Sequence, residues 1–317
     1  MRNYFLRRMV QVIPLLVGIS FVSFVVVLSA PGDPIATMFP LEQLAMLDRE
    51  AMREKLGLND PIPIMYVKMM WSFVNGDLRS FQERRSTVTM VLERLPTTVL
   101  FASLALGVAL ALGIPIAILS ATRPYSFLDN LAIIGSLVGL SLPNFWFALV
   151  LMLFLSERLR LLPPTGMRPV GVEHYTFLQV LPYYIMPTTV LALGILPGLV
   201  RYVRSSMLEV LGQDYIRTAR GKGLTERAVI MRHALKNALI PVVSFLGIIA
   251  PYLLGGSVIV ESVFALPGLG RLAVNAANNR DYPLVLTVNM LMASLVVVSN
   301  LIADMGYSLL DPRIRQG

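Results

Sequence analysis

The chain has 317 residues, 56% of them hydrophobic and 15% charged, with a formal net charge of +8 and a mean hydropathy of +0.69. Soluble domains are nearer half apolar and a quarter charged, and a globular chain of this size needs more charge to cover its surface. Soluble-enzyme and disordered classes are therefore excluded, and an all-α polytopic membrane protein is expected. Cysteine is absent, which removes disulfides, thiol nucleophiles and thiolate metal sites. The two histidines, His174 and His233, stand far apart, so no metal site is expected.

An apolar stretch of about 20 residues spans the hydrocarbon core as a helix. The first is Met9–Ala30, preceded by Arg2, Arg7 and Arg8. Its apolar run exceeds a signal-peptide core, and Pro31 directly after Ala30 opposes cleavage, so an uncleaved helix is expected. Residues 31–96 form a long outer loop or subdomain. The second span, Thr97–Ser120, carries Ala105, Ala109, Gly113 and Ala117, and the third, Leu131–Leu155, carries Gly135 and Gly139. This small-xxx-small spacing lets helices approach closely in lipid. Pro182–Val200 is the fourth span. The fifth, Leu239–Phe264, holds Pro241, Gly247, Pro251 and Gly255–Gly256, and is expected to bend or to line a path. The sixth is Leu284–Ala303.

With the N-terminus inside, the inner segments hold 14 Lys and Arg, against 5 in the short outer loops 156–181 and 265–283. An excess of cations marks the cytoplasmic side. Six inner acids leave +8, the whole formal net charge, so the basic balance reflects topology and needs no nucleic acid. Both termini are expected in the cytoplasm of a cell-membrane protein. The expected division is 1–30 (tail and first helix), 31–96 (outer subdomain), 97–305 (five-helix core with inner loop 201–238) and 306–317 (tail).

Proton- or sodium-coupled transporters usually carry mid-membrane carboxylates. Here Glu261 lies toward one end of the fifth span and Asp304 past the sixth, which argues against a self-contained secondary transporter or channel. Polar residues that can line a path are Ser141, Asn144, Ser257, Glu261 and Asn289, with Asn300 also polar; interhelical hydrogen bonding is the plainer role for each. No H-E-x-x-H or G-x-S-x-G occurs, so no intramembrane enzyme is expected.

The inner loop 201–238 is the most specific segment. Asp214 is a good N-cap for one to two turns, which Gly221-Lys222-Gly223 should stop. Thr225 can cap a second helix with Leu224, Ala228, Met231 and Leu235 on one face. A loop of this kind either touches anionic lipid or docks a cytoplasmic partner. It is no phosphate loop: Ile216 stands where G-x-x-x-x-G-K-[ST] needs its first Gly, and Gly223 follows the Lys.

At this point the chain resembles the permease subunits of bacterial binding-protein-dependent ABC importers of the dipeptide/oligopeptide branch. The carrying stretches are Arg204–Leu211 (R-S-S-M-L-E-V-L), Asp214–Leu224 (D-Y-I-R-T-A-R-G-K-G-L) and His233–Ala238 (H-A-L-K-N-A). Arg217, Thr218, Ala219 and Gly223 occupy the positions of E-A-A-x-x-x-G. Arg217 replaces the leading Glu and Leu235-Lys236 the downstream Leu-Pro, departures which that branch shares. Further matches are Ala30–Pro34, Gly57–Pro61, Asn75–Leu78, Ser141–Trp146, Glu261–Arg271, Asn279–Pro283 and Asp311–Ile314.

The resemblance implies a type I importer permease fold, with Asp214–Leu224 as a coupling helix seated on a cytoplasmic ATPase. Asp214, Tyr215, Arg217, Thr218, Ala219, Arg220, Gly221, Lys222, Gly223 and Leu224 are the implied coupling residues, with Arg217, Arg220 and Lys222 pairing acids there. It also implies a second homologous permease, two ATPases that bind ATP and Mg, and a solute-binding protein met by Asp33, Asp60, Asp77, Arg271, Arg280 and Asp281. No cofactor and no catalysis fall on this chain. Peptide is the expected cargo, with nickel chelates, glutathione and oligosaccharides as the branch's alternatives.

Overall fold

A computed structural model describes residues 2–29, 31–39, 42, 48–169, 171–172 and 174–310. The Asp311–Ile314 motif therefore lies outside the described residues. The described residues are helical with no strand; an isolated bridge pairs Arg79 with Ser86. In chain order the helices are α1 (Arg2–Ser29), α2 (Pro34–Met38), α3 (Arg49–Lys55), α4 (Ile62–Val74), α5 (Thr87–Thr122), α6 (Phe127–Ser141) and α7 (Asn144–Leu151). Then come α8 (Phe177–Leu211), α9 (Asp214–Gly221), α10 (Glu226–Ala228), α11 (Leu235–Ala238), α12 (Ile240–Val263), α13 (Leu269–Asn278) and α14 (Tyr282–Leu310). Met152–Arg158 continues α7 as a π-helix, and Val229–Ala234 joins α10 to α11 in the same way.

Among the described residues four helices are long and apolar enough to cross a membrane, and a bent pair can make a fifth. That pair, Phe127–Ser141 with Asn144–Arg158, is bent by 99° and covers the third span expected over Leu131–Leu155. The cause is local. A residue before proline is pushed out of the α region, and Leu142, ahead of Pro143, sits at ψ 121. The fifth expected span forms α12, 24 residues long and so about 36 Å at 1.5 Å per residue. Pro251 stands inside it without ending the helix.

The chain divides into two compact units: Met1–Thr98 with Pro267–Val297, and Val99–Leu266 with Val298–Gly317. The first unit joins the expected outer subdomain to sequence almost 200 residues away. Its core includes Phe24, Ile35, Met65, Tyr66, Met69, Phe81, Tyr282 and Leu286, tied by edge-on ring contacts of Tyr282 with Phe24 and Phe81. In the second unit the core runs along α8 through Val190, Leu191, Ile195, Leu199, Val203 and Met207. Ala105, Ala109 and Ala117 of α5 are fully buried, and a Cβ on Gly113 would lie 2.9 Å from Leu199 Cδ2. The small-residue spacing in α5 is thus a packing face. In α6 the two glycines differ: a Cβ on Gly139 would meet Pro197 Cγ at 2.7 Å, whereas Gly135 faces open space.

Candidate functional site

The inner loop builds from a buried anchor outward. In α9, Ile216 is fully buried and Ala219 nearly so, while Asp214, Tyr215, Arg217 and Thr218 stay exposed, as do Gly221, Lys222, Gly223 and Leu224 beyond. The helix starts one residue earlier than expected: Gln213 is the N-cap, without a side-chain cap bond, and Asp214 is the first helical residue. There its carboxylate still favours the helix dipole. The stop is as expected. Gly223 adopts φ +77, a left-handed conformation that glycine accepts freely, and its N–H donates to Arg220 O at 2.9 Å. Thr225 caps the next helix through its side chain, accepting from Ala228 N.

Two findings change the chemistry of this loop. Arg220 donates from Nε and Nη2 to Glu226 at 3.2 and 2.7 Å. That hydrogen bond raises the Arg220 pKa and lowers that of Glu226. Arg220 is therefore engaged inside the loop, where the sequence offered it to a partner's acid. Arg217 stands 3.6 Å from Asp214 on its own helix, and Lys222 has no ion-pair partner among the described residues. The second change is one of register. The expected shared face of Leu224, Ala228, Met231 and Leu235 is split: Leu224 and Met231 are exposed, Ala228 and Leu235 half-buried, while Val229, Ala234 and Ala238 are buried. A π-helical turn bonds i to i+5, so the inward face advances by one residue. Asn237 Nδ2 donates to Tyr215 Oη at 3.1 Å, tying α11 to α9, and Ser206 Oγ donates to Ala238 O at 2.9 Å, tying α8 to α11.

Above the loop lies a cluster that reading the sequence missed. Asp129, 1% exposed, accepts from Arg204 Nε and Nη2 at 2.7 and 2.8 Å, from Tyr125 N at 2.8 Å and from Ser120 Oγ. It joins the end of α5, the start of α6 and the stem of α8 that leads into α9. Composition offered no signal, since the partners are 75 residues apart.

Of the five expected path residues, Ser141, Asn144, Ser257 and Glu261 lie in the second unit and Asn289 in the first. Ser141 donates to Leu137 O within its own helix, beside the α6–α7 break. Asn144, just beyond the break, donates from Nδ2 to Tyr252 Oη at 3.1 Å, and Gly194 leaves the room: a Cβ there would lie 2.6 Å from that hydroxyl. Ser257 and Glu261 are buried in α12, and Ser257 donates to Leu254 O. Asn289 belongs to the other unit. Two polar groups not singled out before sit among the α8 and α12 residues, Tyr252 and the buried Thr188 hydroxyl, which has no hydrogen-bond partner among the described residues.

The six expected outer-contact residues all lie in the first unit, and several are engaged in bonds within it. Asp281, 1% exposed, accepts from Ser80 Oγ, Phe81 N at 3.1 Å, Gln82 N at 3.4 Å and Leu284 N at 3.3 Å. Its place is inside, holding residues 80–82 against the start of α14. Arg280, at φ +56, donates to Pro31 O. Asp33 caps α2 and accepts from Arg53, Asp60 pairs with Lys68 at 2.6 Å, and Asp77 is exposed. Arg271 lines a polar cavity of about 300 Å³ with Arg94, Gln82 and Asn275. Among the described residues no group of three His, Asp or Glu is placed to hold a metal ion.

Comparison with known proteins adds to this geometry. Residues 113–316 match the family described as the binding-protein-dependent transport system inner membrane component. Residues 1–102 match the N-terminal family of such membrane components. The chain is 44% identical over 316 residues to the oligopeptide transport system permease protein AppB of Bacillus subtilis, covering 99% of both chains. It is 35% identical over 336 residues to the dipeptide transport system permease protein DppB of Escherichia coli K12, with the same coverage. Among solved structures it is similar to the inward-facing MetNI methionine ABC transporter, at a TM-score of 0.49 and 20% identity over 77% of this chain and 98% of that one.

Proposed function

This chain belongs to the binding-protein-dependent transport system inner membrane component family, and on that premise we propose that it forms half of a translocation pathway for di- or oligopeptides. It is a transport subunit of an ATP-driven importer, with no catalysis of its own. A solute-binding protein delivers the cargo, and cytoplasmic ATPases that bind ATP and Mg supply the energy. A second, homologous permease completes the pathway.

The chain crosses the cytoplasmic membrane six times, with both termini inside and residues 31–96 outside. The bent α6–α7 pair serves as the third span and α12 as the fifth. The outer-facing contact for the binding protein falls on Asp77, Arg271 and the exposed parts of residues 31–96 and 267–281. The observation that carries the reading is α9: a short helix fastened to the core by Ile216 and Ala219, with its other residues exposed. Such a lever transmits a push from a partner to α8 without unfolding.

Two experiments test the reading. Gly223 has open space around its missing Cβ, so a side chain there clashes with nothing in this chain. Gly223→Asp is expected to abolish ATP-driven peptide uptake while leaving membrane insertion intact, because it adds strain at φ +77 and a carboxylate where the ATPase seats. Uptake at the wild-type rate would remove the docking role. The chain has no cysteine, so Lys222→Cys gives a single thiol. An impermeant maleimide should reach it only once the cytoplasmic side is opened; labelling in sealed cells would reverse the topology.

A further inference from the structure

A cavity of about 580 Å³ opens between α6 and α8, lined by Ile133, Leu137, Gly198, Arg201, Tyr202, Arg204 and Ser205. Its lining is sorted along the helices. Arg201, Arg204 and Ser205 lie toward the end of α8, just above the inner loop. Ile133 and Leu137 lie two to three turns into α6, which runs from the same side. With that side cytoplasmic, as proposed above, the polar end sits at the inner membrane surface and the apolar walls reach into the hydrocarbon.

Charge decides what fits the polar end. Arg204 is already neutralised by its two bonds to Asp129. Arg201, exposed, has neither a hydrogen bond nor an ion pair among the described residues. One uncompensated cation remains, with the Tyr202 and Ser205 hydroxyls as further donors. On α6, Ile134, Leu137 and Leu140 are exposed, a surface suited to hydrocarbon. At about 30 Å³ per water, the volume corresponds to roughly nineteen waters, enough for a phosphodiester headgroup and the first carbons of an acyl chain. Basic pockets between helices at the cytoplasmic face are suited to anionic headgroups.

We propose that this cavity is a binding site for an anionic phospholipid of the inner leaflet, its phosphate on Arg201 and its chain along Ile133 and Leu137. The site sits on the Arg204 stem of the lever α8–α9, so an occupied site stiffens that lever. The assignment rests on the N-in orientation.

The test is native mass spectrometry of the purified importer complex, released from nanodiscs of dioleoyl-phosphatidylcholine with a minor share of dioleoyl-phosphatidylglycerol. The wild type should retain phosphatidylglycerol at least tenfold over phosphatidylcholine, relative to supply. Arg201→Gln should remove that preference, and so should Ser205→Asp, a change at an exposed position that leaves the core intact. Equal retention of the two lipids by the wild type, or an undiminished preference in both variants, would overturn the site. Retention of the dipeptide Ala-Phe in place of lipid, lost when its carboxylate is amidated, would give the cavity to cargo and equally overturn the lipid assignment. ATP-driven uptake that persists under either overturning result would leave the importer reading standing.

Discussion

Replacing Asp129 should show how much the second unit depends on one buried ion pair. The Asp129 side chain is 1% exposed and that of Arg204 21%, and the carboxylate accepts four hydrogen bonds. Removing one member of a buried pair costs about 3–5 kcal/mol, because the other is left charged and unpaired. Arg204 keeps some solvent, so the lower end applies, about 3 kcal/mol for Asp129→Ala. Asp129→Asn preserves the shape and one acceptor oxygen, and should cost about half as much. By contrast, Asp129→Leu with Arg204→Met removes both charges at similar volume, a change that is often neutral or stabilising.

The prediction is therefore an order as well as a size. At about 2–4 °C per kcal/mol, Asp129→Ala should lower the melting midpoint by about 6–12 °C, read by intrinsic fluorescence in nanodiscs. The double variant should melt near the wild type, giving a coupling energy of 2 kcal/mol or more between the two sites. If Asp129→Ala melts within a degree of the wild type, or the two single changes add, the pair is not a buried strut. The stable double variant then offers a functional reading. If the pair makes α5, α6 and α8 move with α9, that variant should hydrolyse ATP in the assembled importer yet carry fewer peptides per ATP.

Asp281→Ala leaves Ser80 Oγ, Phe81 N and Leu284 N buried without their acceptor, at about 1–3 kcal/mol for each such group. Residues 79–85 should loosen, so trypsin should cut at Arg84 and Arg85 many times faster than in the wild type; an unchanged cleavage rate would show that the loop is held by other bonds. Gly139→Ala places a methyl against the rigid Pro197 ring at 2.7 Å and should cost about 1–3 kcal/mol. Gly135→Ala, in open space on the same helix, should be neutral or stabilising by up to about 1 kcal/mol. Equal melting midpoints for the two variants would refute this division.

What the sequence made legible, and what it did not, follows from the range of each interaction. Apolar runs of 20 residues and the Gly221–Gly223 stop depend on neighbours along the chain, so the long helices and α9 could be read directly. Pro182, Pro187, Pro197 and Pro251 all remain inside helices, while Pro143 breaks one. A proline's own requirement is the same everywhere; what differs is whether the residue before it stays helical, and at Leu142 it does not. The Asp129–Arg204 pair and the Asp281 cluster join residues 75 to about 200 positions apart, a range at which one sequence carries no pairing signal.

The inner loop shows how a local error propagates into chemistry. A 3.6-residue period put Leu224, Ala228, Met231 and Leu235 on one face, and the resemblance left the cations to meet a partner. In the structure Leu224 and Met231 are 42% and 54% exposed, Tyr215 is 44% exposed, and Arg220 is held by Glu226. An exposed ion pair contributes about 0–1 kcal/mol, whereas burying a large apolar side chain contributes about 1.5–3 kcal/mol. If α9 seats on an ATPase, as proposed, affinity should therefore come mainly from Tyr215, Leu224 and Met231, with Arg217 and Lys222 setting approach and register. On that argument Met231→Ala should weaken ATPase association more than Lys222→Ala, and should do so at high salt as well as low.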